Sequence, residues 1–204
     1  MIIFTLKIAG GNPTALVYRY VSKNKTIKKL LKIVEQVGFV SGNKLEMSGG
    51  ELCINATLAF ASTLKQKGIL YTSGVKEPIL YENKVNNTTI KIPLKYKKER
   101  NIILFEGIGF ICSNRLKPTK SILKFYCNKY NLPAFGLIKY NQVNITPYVY
   151  VKAINSFVKE TACGSGSISY NIFSGRKRII QPTGKIIKVN IKKDKIFVSA
   201  EVIK

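Results

Sequence analysis

The fold is decided by two stretches of sequence, ELCINA at residues 51–56 and ETACGSG at residues 160–166. Each stretch runs into a segment that predicts a short buried helix, so Cys53 and Cys163 both lie at a helix start. Backbone N–H groups at a helix start carry partial positive charge, and we expect them to lower the pKa of both thiols. The same groups can bind a carboxylate.

Around these two helices the same order of elements occurs twice, which indicates an internal duplication. In each half, strands and an amphipathic helix precede a polar loop, and further strands follow the buried helix. The predicted helices cover residues 24–37, 56–67, 118–130 and 166–173. The predicted strands cover residues 1–8, 15–21, 69–73, 78–82, 88–94, 102–106, 108–112, 134–140, 147–153, 185–191 and 195–203, the last two forming a hairpin around Asp194.

The charged segment at residues 95–100 marks the join between the halves. The predicted domains are therefore residues 1–96, which carry Cys53, and residues 97–204, which carry Cys163. The fold class is α/β with α+β character. The alternative is one mixed α+β domain in which the repeated order is coincidental.

The composition removes whole classes of chemistry. The 204 residues include no histidine, and Asp194 is the single aspartate. Catalysis by an imidazole and metal binding by histidine are therefore excluded. The four cysteines include no Cys-x-x-Cys pair, so we expect no metal site. Cys112 and Cys127 are predicted to be core residues, on a strand end and on an amphipathic helix.

The chain is strongly basic, with 34 lysines and arginines against 10 acidic residues and a formal net charge of +24. Such a charge suggests binding to nucleic acid. The dense clusters of basic residues at 95–100 and 176–178, however, lie in no recognisable nucleic-acid-binding motif. A solvated basic surface is the preferred interpretation, and we expect no nucleic-acid partner. No apolar run reaches the ~20 residues of a membrane span. We expect a cytoplasmic protein with reduced thiols, and a homodimer is compatible with the sequence.

Two thiols at facing helix starts fit one reaction class. Inverting the α-carbon of an amino acid requires a base on one face and an acid on the other. A thiolate and a thiol fill these roles, while two helix N-termini stabilise the charge that develops on the carboxylate. The reaction then needs no metal, pyridoxal phosphate or other cofactor.

Three motifs carry a resemblance to the diaminopimelate epimerase family. The sequence ACGSG at residues 162–166 resembles the second catalytic motif of that family, Ala-Cys-Gly-Thr/Ser-Gly. Residues 51–56 resemble its first motif, Glu-Met-Cys-Gly-Asn-Gly, with Ile54 and Ala56 in place of the glycines. Gly11-Asn12 resembles its N-terminal Gly-Asn. The order and spacing agree, so the resemblance spans nearly the whole chain.

The resemblance implies two pseudo-symmetric domains, each a central helix wrapped by strands, with the active site between them. It implies a cofactor-independent racemase or epimerase of a free amino acid. The implied catalytic residues are Cys53 and Cys163. The candidate substrate-binding residues are Asn12, Ile54, Asn55, Glu160, Gly164 and Ser165.

One departure from the sequence pattern of the family narrows the range of expected substrates. Diaminopimelate epimerases have a Glu-Arg pair about nine residues before the second cysteine, whereas the corresponding residues 153–156 carry no charge. This argues against diaminopimelate and favours histidine or another neutral amino acid. Glu51 and Glu160 could bind an ammonium or an imidazole, or could simply be carboxylates placed near a helix start.

Two other functions stay open at the level of sequence. One is a proton shift of the phenazine-isomerase type on the same fold, which would rely on a carboxylate such as Glu51 or Glu160. The other is a non-enzymatic binding protein for nucleic acid or another anion. The presence of both cysteines favours racemisation.

Overall fold

The structure is a computed structural model and describes residues 1–19, 22–93, 95–193 and 195–203. Four helices and sixteen strands lie within these residues. The first half contains β1 (Ile2–Ile8), β2 (Gly11–Tyr18), α1 (Lys23–Leu30), β3 (Gln36–Ser41), β4 (Lys44–Met47), α2 (Ile54–Ser62), β5 (Lys67–Thr72), β6 (Ile79–Lys84) and β7 (Asn87–Ile92). The second contains β8 (Lys97–Glu99), β9 (Ile102–Leu104), β10 (Gly109–Cys112), α3 (Lys120–Lys129), β11 (Ala134–Asn141), β12 (Asn144–Val151), β13 (Ser156–Lys159), α4 (Gly164–Ser174), β14 (Arg178–Ile180), β15 (Ile186–Lys192) and β16 (Lys195–Ile203).

The strand pairing repeats in the two halves. In the first half, β1 to β7 pair in chain order, and the β2–β3 and β4–β5 pairs are parallel while the others are antiparallel. In the second half, β9, β10, β11, β12, β14, β15 and β16 pair in the same order with the same two parallel steps. The order and sense of the pairing therefore confirm the predicted pseudo-symmetric fold.

Each half wraps its strands around one buried helix. β16 pairs with both β7 and β1, so β1 to β7 and β16 form a closed ring around α2. All residues from Ile54 to Ala61 are buried, which explains why apolar residues occur on every side of this helix. α4 packs against β9, β10, β11, β15 and β16, and it also packs against α2.

The two amphipathic helices lie outside these central helices. α1 buries Leu30 against Ala15, Val17, Val37 and Phe39. α3 buries Leu123 and Cys127 in a matching cluster on the second half. Both helices thus cover the outer face of a sheet whose inner face packs on α2 or α4.

The prediction of one helix over residues 24–37 is wrong in its second part. α1 ends at Leu30, and Gln36–Ser41 forms β3. Both faces of β3 are buried, with Val37 and Phe39 packed under α1 and Val40 in the main core. An apolar run that is buried on both faces does not alternate, so it cannot be told from a helix by periodicity.

The first buried helix, α2, also differs from its prediction. α2 begins at Ile54 and ends at Ser62, whereas residues 56–67 were expected to be helical. The hydroxyls of Ser62 and Thr63 donate to the carbonyls of Ala59 and Phe60, which helps to end the helix. Four short strands, β4, β8, β13 and β14, lie in segments that the sequence pattern left as loops.

The boundary between domains at residues 96 and 97 stays a prediction. It falls between β7 and β8, but β16 belongs to the pairing of both halves. The predicted strand ends at Tyr20, Val21 and Leu94, and the hairpin residue Asp194, lie outside the described residues. None of the described helices is long and apolar enough to cross a lipid bilayer.

Candidate active site

Cys53 and Cys163 occupy equivalent positions at the starts of α2 and α4. Each is the N-cap residue, with an extended backbone and a side chain that accepts a hydrogen bond from an N–H three residues later. Sγ of Cys53 lies 3.3 Å from the nitrogen of Ala56, and Sγ of Cys163 lies 3.2 Å from that of Gly166. Both sulfurs thus lie at the N-terminus of a buried helix.

The two helix starts meet each other directly. Nδ2 of Asn55 donates to the carbonyl of Ala162 over 2.8 Å, and the N–H of Gly164 donates to Oδ1 of Asn55 over 2.8 Å. A Cβ atom on Gly164 would lie 2.4 Å from Cγ2 of Ile54, so only glycine allows this approach. Asn55 and Gly164 therefore join the two helices, and their predicted contact with a substrate stays a prediction.

Gln36 connects the surroundings of the two thiols. Its Oε1 accepts a hydrogen bond from Sγ of Cys53, and its Nε2 donates to Oε1 of Glu160, both over 2.9 Å. Glu160 in turn lies close enough to Cys163 for its charge to act on that thiol. The sequence alone does not identify Gln36, because the hydrophobic pattern predicts a helix over this residue and no local motif marks it.

Asn12 donates to the same oxygen of Glu160 as Gln36 does. Nδ2 of Asn12 lies 3.3 Å from Oε1 of Glu160 and 3.2 Å from Oε2 of Glu35. Glu35 also accepts hydrogen bonds from the hydroxyl and the N–H of Thr161. The predicted site residues Asn12 and Glu160 are thus in contact, although 148 positions separate them. Glu35 is a second residue that the sequence analysis missed.

The expectation that helix N-termini lower the thiol pKa values is wrong for the net shift. Burial raises the pKa of Cys53 and of Cys163 well above the usual value, and neighbouring carboxylates raise both further, Glu51 and Glu160 at Cys53 and Glu160 at Cys163. The N–H groups of Ala56 and Gly166 do lower them, but by less than burial raises them. Burial also raises the pKa of Glu160 to about 8.

A small cavity of about 30 Å³ lies beside these groups, and residues of both halves line it. Cys53, Glu160 and Ser165 line it, as do Gln36 and Glu51. Asn12, Ile54, Asn55, Cys163 and Gly164 do not. The lining residues are Leu31, Glu35, Gln36, Ser48, Glu51, Leu52, Cys53, Ile108, Val149, Val151, Ile154, Ser156, Val158, Glu160 and Ser165.

The remaining predicted residues lie at the cavity, between the two central helices or in the core. Ile154 and Ser156, from the uncharged segment that replaces the Glu-Arg pair, line the cavity. Ile54 is fully buried and packs on Gly164, so its side chain fills the contact between the helices. Cys112 and Cys127 are buried core residues, as predicted. Within the described residues, no group of three or more cysteine, aspartate or glutamate side chains is placed to hold a metal ion.

Comparison with known proteins gives relatives in sequence. No protein-family model matches the chain. Proteins named histidine racemase from two strains of Fusobacterium nucleatum are each 28% identical to this chain, and the match covers 95% of this chain and 90% of the relative. A histidine racemase from Staphylococcus aureus is 24% identical, covering 87% of this chain and 84% of its own length.

Solved structures share the fold at low sequence identity. A phenazine biosynthesis PhzC/PhzF protein from Clostridium difficile matches with a TM-score of 0.58 at 13% identity, covering 98% of this chain and 95% of that one. A predicted epimerase from Pseudomonas aeruginosa matches with a TM-score of 0.66 at 8% identity and the same coverage. These likenesses confirm the epimerase-like fold. Together with the sequence relatives, they identify the chain as an enzyme of the isomerase class, homologous to histidine racemases over most of its length.

Proposed function

We propose that the chain is a cofactor-independent racemase of a free amino acid and that Cys53 and Cys163 exchange the α-proton. The observation that carries this proposal is the pair of cysteines capping two helices whose N-termini meet. Because the halves repeat one topology, they supply two equivalent sulfurs at adjoining helix starts, and inversion at a single carbon atom requires one proton carrier on each face.

The reaction uses the sulfurs in opposite roles. One thiolate removes the α-proton, so the C–H bond breaks and its electron pair passes to the α-carbon and the carboxylate. The other thiol delivers its proton to the opposite face of the α-carbon. After one turnover the thiolate and the thiol have exchanged places, so the enzyme is ready for the reverse direction.

The helix starts stabilise the developing charge. Ile54 and Ser165 lie in the first turns of α2 and α4, where N–H groups have no acceptor within the helix. A substrate carboxylate between the two helix starts would accept from such groups. Glu160, beside Cys163, is placed to bind the α-ammonium group. A cavity of about 30 Å³ holds little more than a water molecule, so the halves must move apart to admit an amino acid.

Histidine is the first candidate substrate. The sequence relatives are named histidine racemases. In addition, the uncharged residues Ile154 and Ser156 line the cavity. The carboxylate of a second amino-acid head, as in diaminopimelate, would lose its hydration without a cationic partner, because no lysine or arginine among the described residues lines the cavity. The cytoplasmic location, a homodimer and the absence of a nucleic-acid partner stay predictions.

The test is hydrogen exchange at the α-carbon. The enzyme is incubated in D₂O with a mixture of amino acids, and mass spectrometry reads which of them gain deuterium. Histidine, other neutral amino acids and diaminopimelate are then compared at equal concentration for D/L interconversion. We expect exchange with inversion, histidine leading. Absence of exchange in every amino acid would overturn the proposal, whereas turnover of diaminopimelate alone would overturn the specificity and leave the two-thiol mechanism standing.

One observation favours a second candidate, a proton shift of the phenazine-isomerase type. Glu160 is a buried carboxyl whose pKa, raised to about 8 by burial, suits a general acid or base near neutral pH. This candidate requires proton transfer to survive in the Cys53→Ala/Cys163→Ala double variant and to be lost in Glu160→Gln. The racemase proposal requires the double variant to be inactive.

A further inference from the structure

Acidic side chains concentrate at one place in this basic protein. The chain has nine glutamates against 34 lysines and arginines. Three of the nine, Glu35, Glu51 and Glu160, line the cavity beside the thiols. No lysine or arginine among the described residues lines it. The cavity is therefore selective for positive charge, although the surface of the protein repels it.

Two of the three carboxylates each have one oxygen without a hydrogen-bond partner. Glu35 is held by Thr161 and Asn12. By contrast, Oε2 of Glu51 and Oε2 of Glu160 are buried and have no hydrogen-bond partner among the described residues. Glu51 is 6% exposed and Glu160 is 5% exposed. A buried carboxylate oxygen without a partner is costly, so both oxygens are suited to receive a ligand.

The two free oxygens have different neighbours. Glu160 belongs to the thiol network through Gln36 and Asn12. Glu51 lies over Gly49 and Val151, since a Cβ atom on Gly49 would be 2.5 Å from Oε2 of Glu51 and 2.3 Å from Cγ1 of Val151. Val151 precedes the uncharged segment that lines the cavity. Glu160 therefore lies beside the thiols, and Glu51 lies beside the cavity wall that Val151 of the second half forms.

We infer that Glu51 binds a basic nitrogen on the side chain of the substrate, so that the substrate class is amino acids with a basic side chain. The inference rests on the proposed racemase function and assigns the specificity of that same cavity. A substrate of this class brings two nitrogen donors, the α-ammonium group and the side-chain nitrogen. These match the two unpartnered carboxylate oxygens, Oε2 of Glu51 and Oε2 of Glu160, one each.

A neutral side chain would leave Glu51 without a partner in a closed cleft. A site built to hydrogen-bond a polar group rejects the analogue that lacks it, because its own buried group stays unpaired. Burial raises the pKa of Glu51, and a basic nitrogen nearby would lower it again by favouring the carboxylate. Imidazole fits this description, and so does a short primary amine.

The test compares Glu51→Gln with the wild-type enzyme on paired substrates. Initial rates of α-deuterium incorporation are measured for histidine and ornithine and for the uncharged phenylalanine and glutamine. We expect the wild type to prefer the basic substrates, and we expect Glu51→Gln to lose about 10- to 100-fold of that preference, the value of a hydrogen bond to a charged group. The control is Glu82→Gln, which removes an exposed carboxylate 3.5 Å from Lys84 and should change nothing.

Each outcome decides the inference. A wild-type enzyme that exchanges neutral amino acids as fast as basic ones overturns it without any variant, even if Glu51→Gln fails to fold. A variant that slows all four substrates equally also overturns it, because Glu51 would then act on the shared head or on stability. If the wild type exchanges no amino acid, the racemase function itself fails, which is a separate result.

Discussion

The starts of α2 and α4 are alike in backbone and differ in the side chain that contacts each sulfur. Each has a cysteine as N-cap and an N–H that donates to its sulfur. Cys53, however, donates to the neutral amide of Gln36, whereas Cys163 lies beside the carboxyl of Glu160. The residue after the cysteine is Ile54 in one half and Gly164 in the other.

The difference separates what the duplication supplies from what a chiral substrate demands. Inversion needs an acid–base group on each face of one carbon atom, and the repeated topology supplies two sulfurs for these roles. An amino acid, however, has a single α-ammonium group, so one carboxyl in contact with one of the two thiols is sufficient for it. The pseudo-symmetry therefore holds for Cys53 and Cys163 and ends at Gln36 and Glu160.

The largest expected effect is the loss of either sulfur. Cys53→Ala or Cys163→Ala removes the sole proton carrier on one face, so we expect racemisation to fall by at least about 10³-fold, near the upper range for general acid–base catalysis. Chiral chromatography of the product measures this. If one variant kept wild-type turnover, the two helix starts would not be equivalent.

The matched controls for the two sulfurs are the other cysteines. Cys112 and Cys127 are buried, but they lie on β10 and within α3 rather than at a helix start. Their alanine variants should keep nearly full turnover and lose roughly 1 kcal/mol of stability from packing. Equal activity in all four alanine variants would show that the pair is misassigned.

The next effect concerns the charge beside Cys163. The pKa of Glu160 is about 8 in the folded protein, against 4.5 for an unperturbed glutamate. Between these pH values the folded state holds a proton that the unfolded state has released, so stability falls as pH rises through this window. Relative to the wild type, Glu160→Gln should gain roughly 3 to 5 kcal/mol of unfolding free energy between pH 4.5 and pH 9.

Urea unfolding at the two pH values measures this difference. Gln retains an Oε1 acceptor for Asn12 and Gln36, so the comparison isolates the ionisable group. Glu82→Gln, on the surface, should show no such pH-dependent gain. A parallel pH response of wild type and Glu160→Gln would mean that Glu160 is not buried as a titrating group.

Part of this site could be predicted from the sequence. The helix starts at Cys53 and Cys163 follow from local rules, because a polar loop precedes an apolar segment in both places. Asn12 and Glu160 were singled out through the family resemblance, and the structure brings them into contact. The duplicated order of elements followed from hydrophobic periodicity alone.

The rest depends on contacts between distant parts of the chain. Gln36 and Glu35 lie where β3 starts, and β3 was not separable from a helix because both of its faces are buried. The pKa of the thiols was misjudged for a similar reason. Helix N-termini are visible in a sequence, whereas the burial that outweighs them comes from the packing of one half against the other.

The smallest expected effect concerns the residue after each cysteine. Alanine has a higher helix propensity than glycine, so Gly164→Ala should stabilise α4 if nothing opposed it. The new Cβ atom would meet Ile54 at 2.4 Å, and we therefore expect a net loss of about 1 to 3 kcal/mol from overpacking. In an Ile54→Gly background the same change should cost less, because the opposing side chain is gone. Unfolding free energies of the four proteins in this double-mutant cycle measure the coupling. An equal cost of Gly164→Ala in both backgrounds would show that the two helix starts do not press on each other, and the asymmetry between Ile54 and Gly164 would then have no steric cause.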